Sequence, residues 1–288
     1  MKNQSIHISQ QKRIRSLSVD REDLRTLLEI LQERAYNAAE LEEKHLIRLD
    51  GQSDEEYEKA KKDLKEGFEL FITISGVDGR KLTGNIEEIC DSPNYPVDVK
   101  DVFFDTSTPL RTRYNYFTNN KMVLFLDFGK PEVFNFSILP SQETQNGSNI
   151  EVIGRDATWV NGVFKEFLSF VEERPSTVPW LHRHSIYDIM IWILGFPLSF
   201  WICSKLSTKI EGVFGSYSVF LKAALYLYVF IVALNLLRIA FHYARWIWPL
   251  MEYKSEKSKG LKHKAIFSLI VTGFGFPAIY DIVKWLIK

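Results

Sequence analysis

Three apolar stretches decide how this chain is read: IYDIMIWILGFPLSFWIC (186–203), VFLKAALYLYVFIVALNLLRIAF (219–241) and AIFSLIVTGFGFPAIYDIVKWLI (265–287). They hold 18, 23 and 23 residues. A helix rises about 1.5 Å per residue and a hydrocarbon core is roughly 30 Å thick, so about 20 residues are needed to cross it. The lengths predict a membrane domain over 186–288 with two to three transmembrane helices. Thr272, Gly273, Gly275 and Pro277 predict that the third is kinked or re-entrant.

Upstream, Glu173–Pro179 carries two prolines, which block a helix running straight through. Residues 174–185 are therefore read as a linker that ends in an interfacial anchor of Trp180, His182, Arg183 and His184. Trp246 and Trp248, after the basic turn of Arg238, His242 and Arg245, predict a second anchor where the middle helix reaches the interface.

Charge supports this division. Residues 1–183 hold 31 acidic and 24 basic side chains, a net of −7, and residues 184–288 hold 5 and 12, a net of +7. An acidic soluble part argues against a nucleic-acid grip, and no nucleic-acid partner is expected. The segment 242–264 nets +4 and the segment 204–218 nets +1, so the positive-inside rule places the N-terminal domain and 242–264 in the cytosol. The first sixteen residues lack an apolar h-region, which agrees with a cytosolic domain in a plasma or bacterial inner membrane protein. Cys90 and Cys203 fall in different regions, and two thiols alone make neither a disulfide framework nor a zinc site.

Residues 68–173 read as a cytosolic α+β domain. Strand patterns occupy Phe68–Ser75, Arg80–Ile89, Val97–Asp105, Arg113–Phe117, Met122–Phe128, Val133–Ser137 and Ile150–Ile153, with a hairpin turn at Asp78-Gly79. A helix follows over Ala157–Val171, with Val160, Val163, Phe164, Phe167, Leu168 and Val171 on one face. About seven strands closed by a helix that starts near Trp159 is similar to the order of a pleckstrin-homology-type barrel, in strand count and helix position. The resemblance implies a barrel but no inositide site, because the first hairpin offers only Arg80 and Lys81.

Before it, residues 20–67 predict an amphipathic helical hairpin. Leu24, Leu27, Leu28, Leu31, Ala35, Ala38, Ala39 and Leu46 keep helical spacing, Asp50-Gly51 is a stop, and Ser53–Glu56 is a capping box. Its apolar stripe must pack on the neighbouring domain or helix, or on a second copy of the chain. Residues 1–19 read as a disordered, mildly basic tail.

Polar groups inside the apolar stretches are the candidate sites: Asp188, Asp281, Asn235 and Arg238. Asp188 and Asp281 each sit in Ile-Tyr-Asp-Ile, and each stretch also carries Gly-Phe-Pro, in opposite order relative to the aspartate. The Gly-x-Gly-Asp motif of intramembrane aspartyl proteases is absent, and no phosphate loop, His-Glu-x-x-His or Gly-x-Ser-x-Gly occurs. No catalytic residue, cofactor or metal is expected. The patterns predict a non-enzymatic integral membrane protein, whose cytosolic domain is a binding or sensor module and whose partners are the bilayer and a protein or a second copy. The alternative is a membrane effector that clusters and permeabilises, similar in layout to bacterial defence effectors that join a sensor to a few membrane helices.

Overall fold

The structure, a computed structural model, describes residues 7–48, 50–134, 143–255 and 260–287. The chain divides into a sheet unit (1–129, 146–177 and 250–258) and a helical unit (130–145, 178–249 and 259–288).

The sheet unit is mixed α+β. Six strands, β1 (Ile8–Arg13), β3 (Ile72–Gly76), β4 (Lys81–Gly84), β5 (Val99–Asp105), β6 (Lys121–Asp127) and β7 (Asn149–Gly154), form one antiparallel sheet in the order β1-β7-β6-β5-β3-β4. The sheet is open, with β1 and β4 at its edges, and so corrects the barrel expected from strand order. Alternation sets its faces. Ile72, Ile74, Val102, Phe104, Leu124, Leu126, Ile150 and Val152 are at most 1 % exposed, and their neighbours along each strand are largely half-buried or exposed.

Helices α1 (Arg21–Glu43) and α5 (Ala157–Glu173) join the apolar face in a single core. Asp20 and Ser53 close capping boxes at the starts of α1 and α2 (Asp54–Gly67), which satisfies end groups that a helix cannot pair internally. The stripe from Leu24 to Ala39 is buried in this core rather than offered to a second copy. Arg34 donates from both Nε (2.7 Å) and Nη2 to Glu166, and Trp159 Nε1 donates to the Arg34 carbonyl at 3.0 Å, so polar ties between α1 and α5 flank the core.

Several expected elements differ. The strand expected over Arg80–Ile89 stops at Gly84, because Asn85 and Glu88 form a capping box that starts α3 (Ile86–Cys90). Arg113–Phe117 is not a strand: α4 (Ser107–Tyr114) runs into it and ends on Asn115 in the left-handed region at φ 51°. Most of Val133–Ser137 lies outside the described residues. The disordered tail expected over 1–19 instead supplies β1 and β2 (Leu17–Val19). β1 pairs antiparallel with β7 from Ile8–Gly154 to Arg13–Asn149, and its polar sequence suits an edge strand exposed to water. β2 pairs in parallel with β8 (Met251–Tyr253), a segment that lies beyond the second apolar stretch.

The helical unit starts with a short 3₁₀ turn at Pro179–His182. α6 (His184–Met190) and α7 (Phe196–Phe214) are joined by a π turn at Ile191–Gly195. α9 (Gly260–Ile270) and α10 (Phe276–Ile287) are joined by another at Val271–Gly275. Each π turn immediately precedes a Phe-Pro pair. Proline has no N–H to give and its ring crowds the carbonyl four residues back, so the preceding turn widens. The Phe196 N–H reaches back five residues to the Ile191 carbonyl. Between these two helices with π turns in the chain stands α8 (Val219–Ile247), continuous over 29 residues.

Two helices, His184–Phe214 and Val219–Ile247, are long and apolar enough to cross a membrane, with mean hydropathies of 1.7 and 2.1 over their most apolar windows. Their contacts fix an antiparallel register. Tyr187 meets Phe241 (ring centroids 5.2 Å), Phe200 meets Phe230 (5.0 Å), Cys203 Sγ lies 3.6 Å from the Tyr226 carbonyl oxygen, and Lys222 Nζ lies 3.1 Å from Glu211 Oε2.

Candidate functional site

Among the described residues, four buried polar side chains of the helical unit, His182, Arg238, His242 and Arg245, gather where α8 ends and α6 begins. A fifth, Ser199, lies within α7. Arg238, His242 and Arg245 follow one another at four and three residues, which puts them on one face of α8. Their exposures are 6 %, 6 % and 2 %. Arg245 donates from Nε to the Leu181 carbonyl at 3.0 Å and from Nη2 to the Arg183 carbonyl at 3.3 Å, and its guanidinium lies 4.6 Å from the Phe241 ring centre. The Arg238 guanidinium stands 5.6 Å from the Tyr187 ring centre. Tyr187 itself lies against Phe241 and His242.

His182 is 1 % exposed and hydrogen-bonded through both nitrogens. Nε2 is 2.6 Å from the Trp248 carbonyl oxygen, and a carbonyl only accepts, so Nε2 carries the proton. Nδ1 then accepts from the Thr144 hydroxyl at 2.9 Å. Burial pushes the imidazole below its ordinary pKa; the Trp248 bond works against this and the nearby Arg245 charge works with it. His182 is therefore neutral at pH 7 and closes the 3₁₀ turn onto the end of α8.

The other expected anchors are aromatic. Trp246 stacks on Tyr243 with centroids 5.9 Å apart, lies 5.1 Å from His263, and has Lys130 Nζ 4.5 Å from its ring centre. Trp248 meets Phe267 edge-on at 5.6 Å, and Trp180 is 53 % exposed. Arg183 is exposed and contributes its carbonyl.

The polar candidates within the apolar stretches separate. Asp188 pairs with His184 one turn back, Oδ2 to Nδ1 at 3.3 Å. Asn235 donates to the Ile231 carbonyl of its own helix at 3.0 Å. Asp281 is exposed on α10. Among the described residues, no group of three or more His, Cys, Asp or Glu side chains is placed to hold a metal ion. Sequence reasoning placed Arg238, His182 and Trp248 and named Arg245 as part of a basic turn, but it gave no role to Arg245, Tyr187 or Thr144, because each depends on which groups lie opposite it in the fold.

The sheet unit carries two further polar features. Glu42 is fully buried and accepts from the Tyr116 hydroxyl and from the backbone and side-chain amides of Asn119 and Asn120 at 2.7–3.1 Å. Burial, with the Glu42 charge and hydrogen bond adding to it, pushes the Tyr116 hydroxyl up to about 12. This knot fixes the loop before β6 to the end of α1. Along β1 and α5 runs an open groove of about 460 Å³ lined by Gln10, Asn161, Phe164, Lys165, Leu168, Ser169 and Glu172, which mixes apolar with polar and charged side chains.

No protein-family model, curated protein or solved structure matches the chain.

Proposed function

We propose that the chain is an integral membrane protein, with the sheet unit as a non-catalytic binding module held at one membrane face by the helical unit. The observation that carries this reading is the exposure of α8. Its most apolar window has a mean hydropathy of 2.1, yet 6 % of that window is buried within the structure. A core helix of that composition is covered by protein, and an uncovered one is stable only when lipid or another chain covers it. The module reading draws support from the buried polar groups. Glu42, His182 and Arg245 all bond to backbone and hold the fold together instead of lining a cleft. The surface left for a partner includes the groove beside β1 and the open sheet face, where Phe103 is 42 % exposed.

The test is alkaline carbonate extraction of membranes from cells that express the full chain. Retention in the pellet supports the reading, and release of monodisperse protein without detergent sinks it.

A second reading is that of a membrane effector, and the paired π turns favour it. Such turns are frequent at functional sites, and both fall within apolar segments. Against it stands the α1 stripe, which lies in the core and gives no device for clustering. Dye leakage from liposomes that hold the protein at high density separates the two readings: leakage supports the effector, tight vesicles the anchored module.

A further inference from the structure

The charges that bound the apolar segments are evenly spaced. Asp188 and Lys205 are 17 residues apart, Lys222 and Arg238 are 16 apart, and Lys264 and Asp281 are 17 apart, with no charged residue between the members of any pair. At about 1.5 Å per residue, each interval is roughly 24–26 Å long. The common hydrocarbon core is about 30 Å thick, and an inclined helix covers less than its own length.

The hairpin's own contacts show that these limits are level on its two helices. At one end Arg238 stands over the ring of Tyr187, next to Asp188. At the other, Cys203 meets the Tyr226 carbonyl and Lys222 meets Glu211, which sets Lys205 and Lys222 within about a turn of each other. The stacked pairs Phe196–Phe230 and Phe200–Phe230 fill the space between.

A lysine amine can stretch to a headgroup layer, but on the hairpin both lysines are engaged: Lys222 Nζ lies 3.1 Å from Glu211 Oε2 and Lys205 Nζ lies 5.6 Å from the Trp201 ring centre, one turn back towards the apolar interval. A carboxylate sits within a few ångströms of its backbone. Asp188 fixes one limit on the first helix and Asp281 one limit on the third. Arg238 is held against Tyr187 at 6 % exposure. Outside these limits the side chains change character, to the Tyr243–Trp246–His263 aromatic group with Lys130 at one end and the Glu211–Lys222 ion pair at the other. Aromatic and charged groups of this kind belong to the headgroup layer.

We infer that the helical unit is fitted to a bilayer whose hydrocarbon layer is about 24 Å thick, that is, to short-chain or thinned lipid. On this view the charge-free intervals Asp188–Lys205, Lys222–Arg238 and Lys264–Asp281 together set the thickness of lipid the protein accepts. The inference rests on the membrane reading above.

The full-length protein is reconstituted into vesicles of dimyristoleoyl, dioleoyl or dierucoyl phosphatidylcholine, floated on a density gradient, and its thermal unfolding followed. The highest unfolding midpoint is expected in the short-chain lipid, with a progressive fall through the other two. A variant carrying Lys205→Leu, Lys222→Leu and Asp281→Leu lengthens the charge-free segments and is expected to move the optimum to dioleoyl lipid. Flotation with all three lipids but equal midpoints, or an optimum in dioleoyl or dierucoyl lipid for the natural protein, overturns the thickness inference alone. Failure to float with any vesicle overturns the membrane reading and the inference with it.

Discussion

Leu17 pairs in parallel register with Met251, which the chain reaches only after both helices of the hairpin. Around this pair the Leu17 N–H donates to the Leu250 carbonyl at 3.1 Å, and the Lys254 N–H donates to the Val19 carbonyl at 2.8 Å. Leu17 is fully buried and Met251 is 1 % exposed. The chain thus leaves the sheet unit after residue 177, passes through α6, α7 and α8, and re-enters the sheet unit at Leu250. Replacing Met251 with alanine removes a buried side chain from this closure. A loss of about 2–5 kcal/mol is expected for such a truncation. Chemical denaturation of the full-length protein checks it, and an unchanged midpoint would show that β8 is peripheral to the fold.

Glu42 is a second point of high sensitivity. Glu42→Ala leaves the buried donors of Asn120 and the half-buried donors of Tyr116 and Asn119 without an acceptor, at an expected cost of about 3–5 kcal/mol. Ile47→Ala, at a site 82 % exposed, is the control and should stay within about 0.5 kcal/mol of the natural protein. Equal effects from the two substitutions would contradict the knot.

The 3₁₀ turn before α6 should respond to acid through His182. Burial holds its folded pKa below the ordinary histidine value, so the unfolded chain takes up the proton first as pH falls. Its contribution to stability is complete above the unfolded value of about 6.5 and is lost as the pH drops from there towards the lower folded value. Thermal unfolding of the detergent-solubilised protein between neutral pH and mild acid should show this slope. His182→Gln should flatten it, and an unaltered slope in that variant would place the titrating group elsewhere.

The start of α3 offers a local test. Asn85 Oδ1 accepts from the Glu88 N–H at 2.8 Å, and Glu88 Oε2 accepts from the Asn85 N–H at 3.2 Å. Asn85→Ala should cost about 1 kcal/mol, as for other N-cap losses. Denaturant titration reads this directly, and a neutral substitution would mean that the cap adds nothing beyond the packing of Ile86 and Ile89.

What could be read from the sequence follows from how local each signal is. The box at Ser53, the stripe on α1, the alternation in β6 and β7 and the apolar runs of α7 and α8 are all carried by residues close together in the chain. Asn85–Glu88 is the same kind of signal, and it was hidden because a β-like run, Arg80–Ile89, overlaps it. β1 and β8 had no such signal. Ile8–Arg13 is a strand because β7 lies beside it, and Met251–Tyr253 because β2 does. The candidate site was partly legible for the same reason. Arg238 stands out in an apolar run, but the role of Arg245 exists only because the carbonyls of Leu181 and Arg183 lie opposite it.

The central claim is that α6–α7 and α8 cross a bilayer out and back, with the sheet unit and the 250–255 segment on one face and the turn after Phe214 on the other. The direct measurement is labelling of Ser216→Cys and Ser255→Cys, each in a background with Cys90 and Cys203 replaced, by a membrane-impermeant maleimide in sealed vesicles of known orientation. The account predicts opposite accessibility for the two positions, with Ser255→Cys on the same side as a protease site in the sheet unit. Labelling of both positions from the same side of sealed vesicles would contradict it.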